Sequence, residues 1–151
     1  MGAVFPVMKK YFRQQGWQTE RIDKRPALRM QYQGKSGEFT CYAIERGETG
    51  QFIFYVMYPR PVPSDKRKAM TEFITRANYG LVVGNFEMDL IDGELRYKAS
   101  LDLEGETPTL GLIHRVVSAC VGTMDRYYPG IEKVISDRLS PADVIADIEK
   151  S

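Results

Sequence analysis

Two consecutive hairpins can be registered from the residues alone, and their agreement constrains this chain more than any other feature. The turn sequences GKSG (Gly34 to Gly37) and GETG (Gly47 to Gly50) separate runs of alternating apolar and polar residues. Folding each as a hairpin loop pairs Tyr32 with Phe39, Met30 with Cys41 and Leu28 with Ala43. The next hairpin then pairs Phe39 with Tyr58, Cys41 with Val56 and Ala43 with Phe54. Residues directly opposite share a sheet face, so all of these side chains fall on one side. An antiparallel meander with one core face follows. Its strands lie at Trp17 to Asp23, around Leu28 to Tyr32, at Glu38 to Arg46 and at Gln51 to Tyr58. The last two strands are apolar on the other side as well, where Tyr42 faces Tyr55, Ile44 faces Ile53 and Thr40 faces Met57.

A third hairpin is marked by Asp92-Gly93, a dipeptide suited to a two-residue type I′ turn. The register this implies over Asn85 to Ile91 and Glu94 to Leu101 pairs Leu90 with Leu95, Met88 with Tyr97 and Phe86 with Ala99. Helical spacing of apolar residues predicts helices at Val4 to Gln15 and at Asp65 to Asn78, the latter capped by Ser64 and striped by Met70, Phe73, Ile74 and Ala77. A long apolar helix begins at a Thr107 cap with Pro108 at its first position and breaks at Pro129-Gly130. Ser140, Pro141 and Asp143 predict a helical tail. The order αββββαββα(α), with strands in blocks, means an α+β fold: an antiparallel sheet, meander plus separate hairpin, packed with helices.

A length of 151 residues fits one domain over 1–151. With 21 basic and 20 acidic residues, bulk charge favours neither nucleic acid nor a membrane surface as partner. No apolar run reaches the ~18 residues of a membrane span. Cys41 and Cys120 each fall in an apolar periodic segment, which predicts buried thiols and suits the cytoplasm.

Chemistry-bearing motifs are sparse. His114 is the only histidine, so metal sites built on His pairs and most Ser-His or Cys-His nucleophiles lack parts, and it reads as structural or superficial. No phosphate-binding glycine loop occurs. The acidic groups Asp89, Asp92, Glu94 and Asp102, Glu104, Glu106 read as a turn with its ion pairs and a solvated loop rather than a cation site. No cofactor or metal is expected. The basic run Arg60, Lys66, Arg67 and Lys68 reads as a solvated helix start.

From Phe73 to Gly105 the chain reads FITRANYGLVVGNFEMDLIDGELRYKASLDLEG, and Met124 to Ile135 reads MDRYYPGIEKVI. A helix ending in Asn78-Tyr79, then Gly84-Asn85-Phe86, an acidic strand, an Asp-Gly turn and a strand closing on Ser-Leu-Asp resemble the YbjN family of bacterial proteins. The tail SPADVIADIE is similar to those of cyanobacterial members. The resemblance implies a fold like that of type III secretion chaperones, with helices around a curved antiparallel sheet, usually as a homodimer. Those chaperones bind extended segments of client proteins. The family is loosely labelled a sensory-transduction or stress regulator, and it offers no catalytic or binding residues to carry over.

The expectation is a non-enzymatic protein-interaction module, chaperone-like or regulatory, acting as a cytoplasmic homodimer with a protein or peptide client. Two apolar surfaces compete for contact: the strand face at Tyr42, Ile44, Ile53, Tyr55 and Met57, and the helix around Met70 and Phe73. Helices covering both sheet faces would instead bury the first surface. The rival is a small-ligand sensor or enzyme with a pocket between sheet and helices lined by Tyr42, Tyr55 and Tyr97.

Overall fold

Covering one side of a single sheet is what the four α-helices among the described residues do. The computed structural model describes residues 2–47, 50–136 and 139–150. Helix α1 (Val4–Gln14) lays Val4, Phe5, Met8, Tyr11 and Phe12 into the core. Its first turn is closed from the sheet. Glu45, only 2% exposed, accepts hydrogen bonds from the backbone N–H groups of Gly2 at 3.2 Å, Val4 at 3.4 Å and Phe5 at 3.0 Å. A carboxylate there satisfies donors that a helix start leaves open, and it sits at the positive end of the helix dipole.

Strands β1 (Thr19–Arg21), β2 (Ala27–Gln33), β3 (Glu38–Arg46) and β4 (Gln51–Met57) form the meander. Its registers are those read from the sequence, with Met30 opposite Cys41, Leu28 opposite Ala43, Cys41 opposite Val56 and Ala43 opposite Phe54. Asp125, on a later helix, ties down the first turn by accepting from the N–H groups of Lys35 and Ser36 at 3.0 and 2.8 Å.

The Asp-Gly hairpin, β5 (Asn85–Met88) and β6 (Leu95–Asp102), is not separate. Pairing of β6 with β4 makes one six-stranded antiparallel sheet in the order β1-β2-β3-β4-β6-β5. Its register is two residues from the expected one: Phe86 faces Tyr97 and Met88 faces Leu95. The turn is longer than a type I′ pair because the aspartates build it. The Asp89 carboxylate accepts from Ile91 N–H and that of Asp92 from Glu94 N–H, while Gly93 N–H returns to the Asp89 carbonyl at 2.7 Å. Gly93 holds φ at +82°, and a Cβ there would meet the Val62 carbonyl at 2.4 Å. Glycine is thus needed, though for a different loop. A shift of two keeps the side chains that remain paired, Phe86, Met88, Leu95 and Tyr97, on their expected face.

A 3-10 turn at Ser64–Lys66 precedes α2 (Arg67–Gly80), so Ser64 does not cap that helix as expected. Arg67, read as part of a solvated basic run, reaches back to the hairpin loop and donates to the carbonyls of Val62 at 3.0 Å and Ile91 at 3.2 Å. Helix α3 (Leu110–Ser136) starts two residues later than predicted: Thr109 Oγ1, not Thr107, accepts from Leu112 N–H at 3.2 Å. It also runs straight through Pro129. An interior proline costs ~3 kcal/mol. Burial on both sides of it offsets that cost, through Tyr127, Ile131 and Val134. Gly130 lets α4 (Pro141–Lys150) approach, since a Cβ there would lie 2.3 Å from Ile148 Cδ1 and 3.0 Å from Phe73 Cζ. Ser140 caps α4 as expected, accepting from Asp143 N–H at 3.2 Å.

The core cluster joins the helix stripes to alternate residues of the strands, among them Met30, Phe39, Cys41, Phe54, Val56 and Tyr97. Both cysteines are free and buried there. Burial pushes both thiols up, that of Cys120 to about 12, which leaves them unreactive at neutral pH.

Candidate interaction face

Because all helix stripes join one cluster on one side, the opposite side of the sheet has no helical layer among the described residues. Tyr42, Ile44, Ile53, Tyr55 and Met57 come together on it, as the paired registers Tyr42–Tyr55 and Ile44–Ile53 require. None of the five belongs to the core cluster. Ile53 is nevertheless 8% exposed, and Ala27 opposite Ile44 is 4% exposed, so the centre of this face is shielded by its own neighbours. The other four are half-buried.

The flanks of the face are charged. The Arg96 guanidinium lies 4.2 Å from the centroid of the Tyr55 ring, a cation–π contact, and also bonds Glu87 at 2.6 Å. Lys98 approaches the same carboxylate at 3.0 Å. Burial alone would raise the Glu87 carboxyl, but the hydrogen bonds from Lys98 and Arg96 outweigh it and hold it below its ordinary value. A shallow hollow of about 180 Å³ opens between Arg46, Ile53, Tyr55, Lys98 and Ser100.

Met70 and Phe73 are not surface residues. Each is 0% exposed, and Phe73 packs edge-on against Tyr127 of α3. The stripe of α2 is used up inside the chain against α3 and α4, so the helix that competed for contact offers no apolar surface there. The pocket of the rival reading is not assembled either. Tyr97 is fully buried on the core side, opposite Val56, whereas Tyr42 and Tyr55 point out of the other face.

Elsewhere the chain offers open hollows. One of about 660 Å³ lies where β1 ends and β2 runs on, lined by Trp17, Gln18, Glu20, Arg29 and Gln31 to Gln33. Another, of about 260 Å³, is bordered by His114, whose Nδ1 is 2.9 Å from the Tyr11 hydroxyl and whose Nε2 is 3.5 Å from Ser118 Oγ. A phenol stands here where a nucleophile's histidine has a carboxylate. Among the described residues no group of His, Cys, Asp or Glu is arranged to hold a metal ion, and no helix is long and apolar enough to cross a membrane. Arg60, the other end of the basic run, forks onto Glu132 at 2.5 and 2.6 Å, and the Tyr58 hydroxyl donates to the same carboxylate.

Sequence reasoning missed a second exposed feature. Leu90 was placed in a cross-strand pair, yet Leu90 and Ile91 project from the hairpin loop at 65% and 90% exposure. The signal was present in Asp89 and Asp92, each spaced to cap the amide two residues on.

A model of the YbjN family, described as "Putative bacterial sensory transduction regulator", matches residues 7–133. Comparison with curated proteins finds no significant match. Among solved structures, a crystal structure of YbjN from E. coli, called "a putative transcription regulator", superposes with a TM-score of 0.58 at 12% identity, covering 97% of this chain and 92% of that one. The structure of the HopA1-SchA chaperone-effector complex contains a chain that superposes at 0.56 with 10% identity over 81% of this chain and 91% of that one. The ExsC-ExsE complex gives 0.54 at 10% identity over 83% and 91%. At such identities the likeness is one of fold, and the fold is type III secretion chaperone-like.

Proposed function

The chain belongs to the YbjN family, and from that premise we propose that it is a protein-interaction module, chaperone-like or regulatory, acting without catalysis as a cytoplasmic homodimer built from one domain per chain. The observation that carries this is the uncovered sheet face. Five largely apolar side chains gather there outside the core, and burying apolar area against a partner yields ~25 cal/mol per Å². The chaperone-effector complex among the fold neighbours supports a protein as the partner.

The experiment is site-specific photo-crosslinking in the native host. A benzophenone amino acid at Tyr55 should trap discrete protein adducts, resolved by mass spectrometry, while the same probe at exposed Glu104 should not. Equal, diffuse labelling from both positions would sink the reading, as would displacement of the Tyr55 adducts by a small-molecule extract of the host.

A further inference from the structure

The two edges of the sheet are finished differently. At the β5 edge, Asp89 N–H donates to the Glu94 carbonyl at 2.9 Å and continues the β5–β6 register. Bonded pairs alternate along an antiparallel ladder, so the backbone groups of Phe86 point away from β6. They are not left open. Asn78 of α2 accepts from Phe86 N–H at 2.7 Å and donates to the Phe86 carbonyl at 3.0 Å. A side-chain amide stands where a further strand would pair, which keeps that edge from adding another chain.

At the opposite edge β1 has three residues and pairs only with Leu28, Arg29 and Met30. Strand β2 runs on to Gln33 with no strand beside it on that side among the described residues. Gly34 N–H donates to the Gly37 carbonyl at 2.8 Å in the β2–β3 register. By the same alternation, Gln31 and Gln33 aim their backbone groups at the open edge. These two sets of groups lie about 6.8 Å apart, the two-residue repeat of an extended chain. Helix α1 stops short of covering them. Gly16 turns the chain at φ +77°, and Trp17 N–H returns to the Phe12 carbonyl at 2.9 Å. The hollow of about 660 Å³ is lined by residues 16–20 and 29–33, on either side of this gap. Neither a proline nor a charge guards Gln31, Tyr32 and Gln33.

We propose that the free edge of β2 at Gln31 and Gln33 takes up an extended segment of a partner protein as an added antiparallel strand. This rests on the protein-interaction reading above and adds a second contact, made through backbone instead of the apolar face. The edge is recessed, because β1 stands one strand spacing, about 4.8 Å, outside β2. The same stretch of a second copy is set back in the same way, so two copies cannot bring these stretches together, whereas a single extended chain enters. The lining selects little charge: Gln18, Gln31 and Gln33 are neutral, and Glu20 stands opposite Arg29. On the core side Tyr32 stacks on Trp17, with centroids 5.5 Å apart and both rings half-buried. An uncharged segment alternating apolar with polar residues fits, its apolar side chains on the Trp17–Tyr32 side. Main-chain bonds supply the affinity in such strand addition and alternate side chains the specificity.

Amide-resolved NMR titration of the full chain tests this. The probe is a capped heptapeptide alternating valine and threonine, added to millimolar concentration. The amides of Gln31 and Gln33 should shift and exchange more slowly with solvent, while that of Met88 on the β5 edge should not. Gln33→Pro removes an N–H that faces away from the ladder, a position where an edge strand accepts proline. It should weaken peptide binding about tenfold and leave the thermal melt unchanged, whereas Gln33→Ala should bind within about twofold of wild type. The same peptide with alternate amides N-methylated keeps its side chains and should not bind, an arm that leaves the protein untouched if Gln33→Pro unfolds. Equal binding of the methylated peptide, or shifts centred on Tyr42 and Tyr55, overturns the proposal. No response at Gln31 and Gln33 while the Tyr55 photo-adducts persist removes the added strand and leaves the interaction reading standing; loss of both overturns both.

Discussion

Phe54 and Tyr55 are neighbours on β4 and sit in different surroundings. Phe54 is 0% exposed, stacked near Phe12 of α1 with ring centroids 6.1 Å apart, in the middle of the helix-covered side. Tyr55 lies on the side no helix covers, with Arg96 over its ring. Both faces of β3 and β4 are apolar, yet only one is spent on folding. An antiparallel sheet ordinarily resolves this by alternating apolar with polar residues along each strand. Here the alternation fails on the outer side of β3 and β4 and holds on that of β6, where Arg96, Lys98 and Ser100 face out. The apolar excess is confined to the middle of the sheet, where a docking partner would cover it and where the exposed edges stay polar.

The sharpest test of that contrast is a pair of truncations one residue apart. Phe54→Ala should cost about 3–5 kcal/mol through lost transfer energy and the cavity left behind. Tyr55→Ala should change the stability of the monomer by no more than ~1 kcal/mol, since it removes a half-exposed ring and one cation–π contact. Urea midpoints measured at dilutions where any dimer has dissociated give both numbers. Equal losses would mean that the outer face is packed within a single chain.

The two faces also hold one instructive carboxylate each. Glu45 on the covered side has no ion-pair partner among the described residues and is held by three backbone N–H groups of the α1 start. Glu45→Ala should therefore cost about 1–3 kcal/mol, because it strands buried donors as well as removing a cap. The loss should be local first, so amide exchange at Phe5 and Met8 should accelerate before that at Cys41. Uniform acceleration would mean that α1 and the sheet open as one unit.

How much of this was visible beforehand depends on range. Parity survives errors: the β5–β6 pairing was placed two residues away, yet Phe86 and Tyr97 still fell on the core side. The meander was readable because each turn joins strands adjacent in sequence. The pairing of β4 with β6 was not, since no turn links them. Glu45 was unreadable for the same reason: it caps residues some 40 positions away. Met70 and Phe73 show a further limit. Their stripe was identified correctly as apolar, but a stripe does not say what covers it, and α4 arrives from the far end of the chain to do so. At Pro129 local chemistry predicted a break and tertiary burial overrode it. The outer-face cluster of Tyr42, Ile44, Ile53, Tyr55 and Met57 was legible as a set because register alone fixes who shares a face.

The smallest expected effect concerns the open-face carboxylate, Glu87. Its charge is held by Arg96 and Lys98, and its pKa is lowered in the folded chain. A carboxyl whose folded value lies below its unfolded value of about 4.3 stabilises the fold fully above that pH. The contribution is lost as pH falls through the folded value, when the proton taken up removes the ion pairs. The groups are partly exposed, so the amount is under about 1 kcal/mol. Subtracting the urea midpoints of Glu87→Gln from those of wild type isolates it from other titrating acids, Glu132 included. The difference should be flat above about pH 5 and shrink steadily as the pH falls below the unfolded value. High salt should reduce it throughout, since exposed pairs are screened. A difference that grows on acidification would mean that Glu87 is stabilised in its neutral form, and the charged rim of the open face would need redrawing.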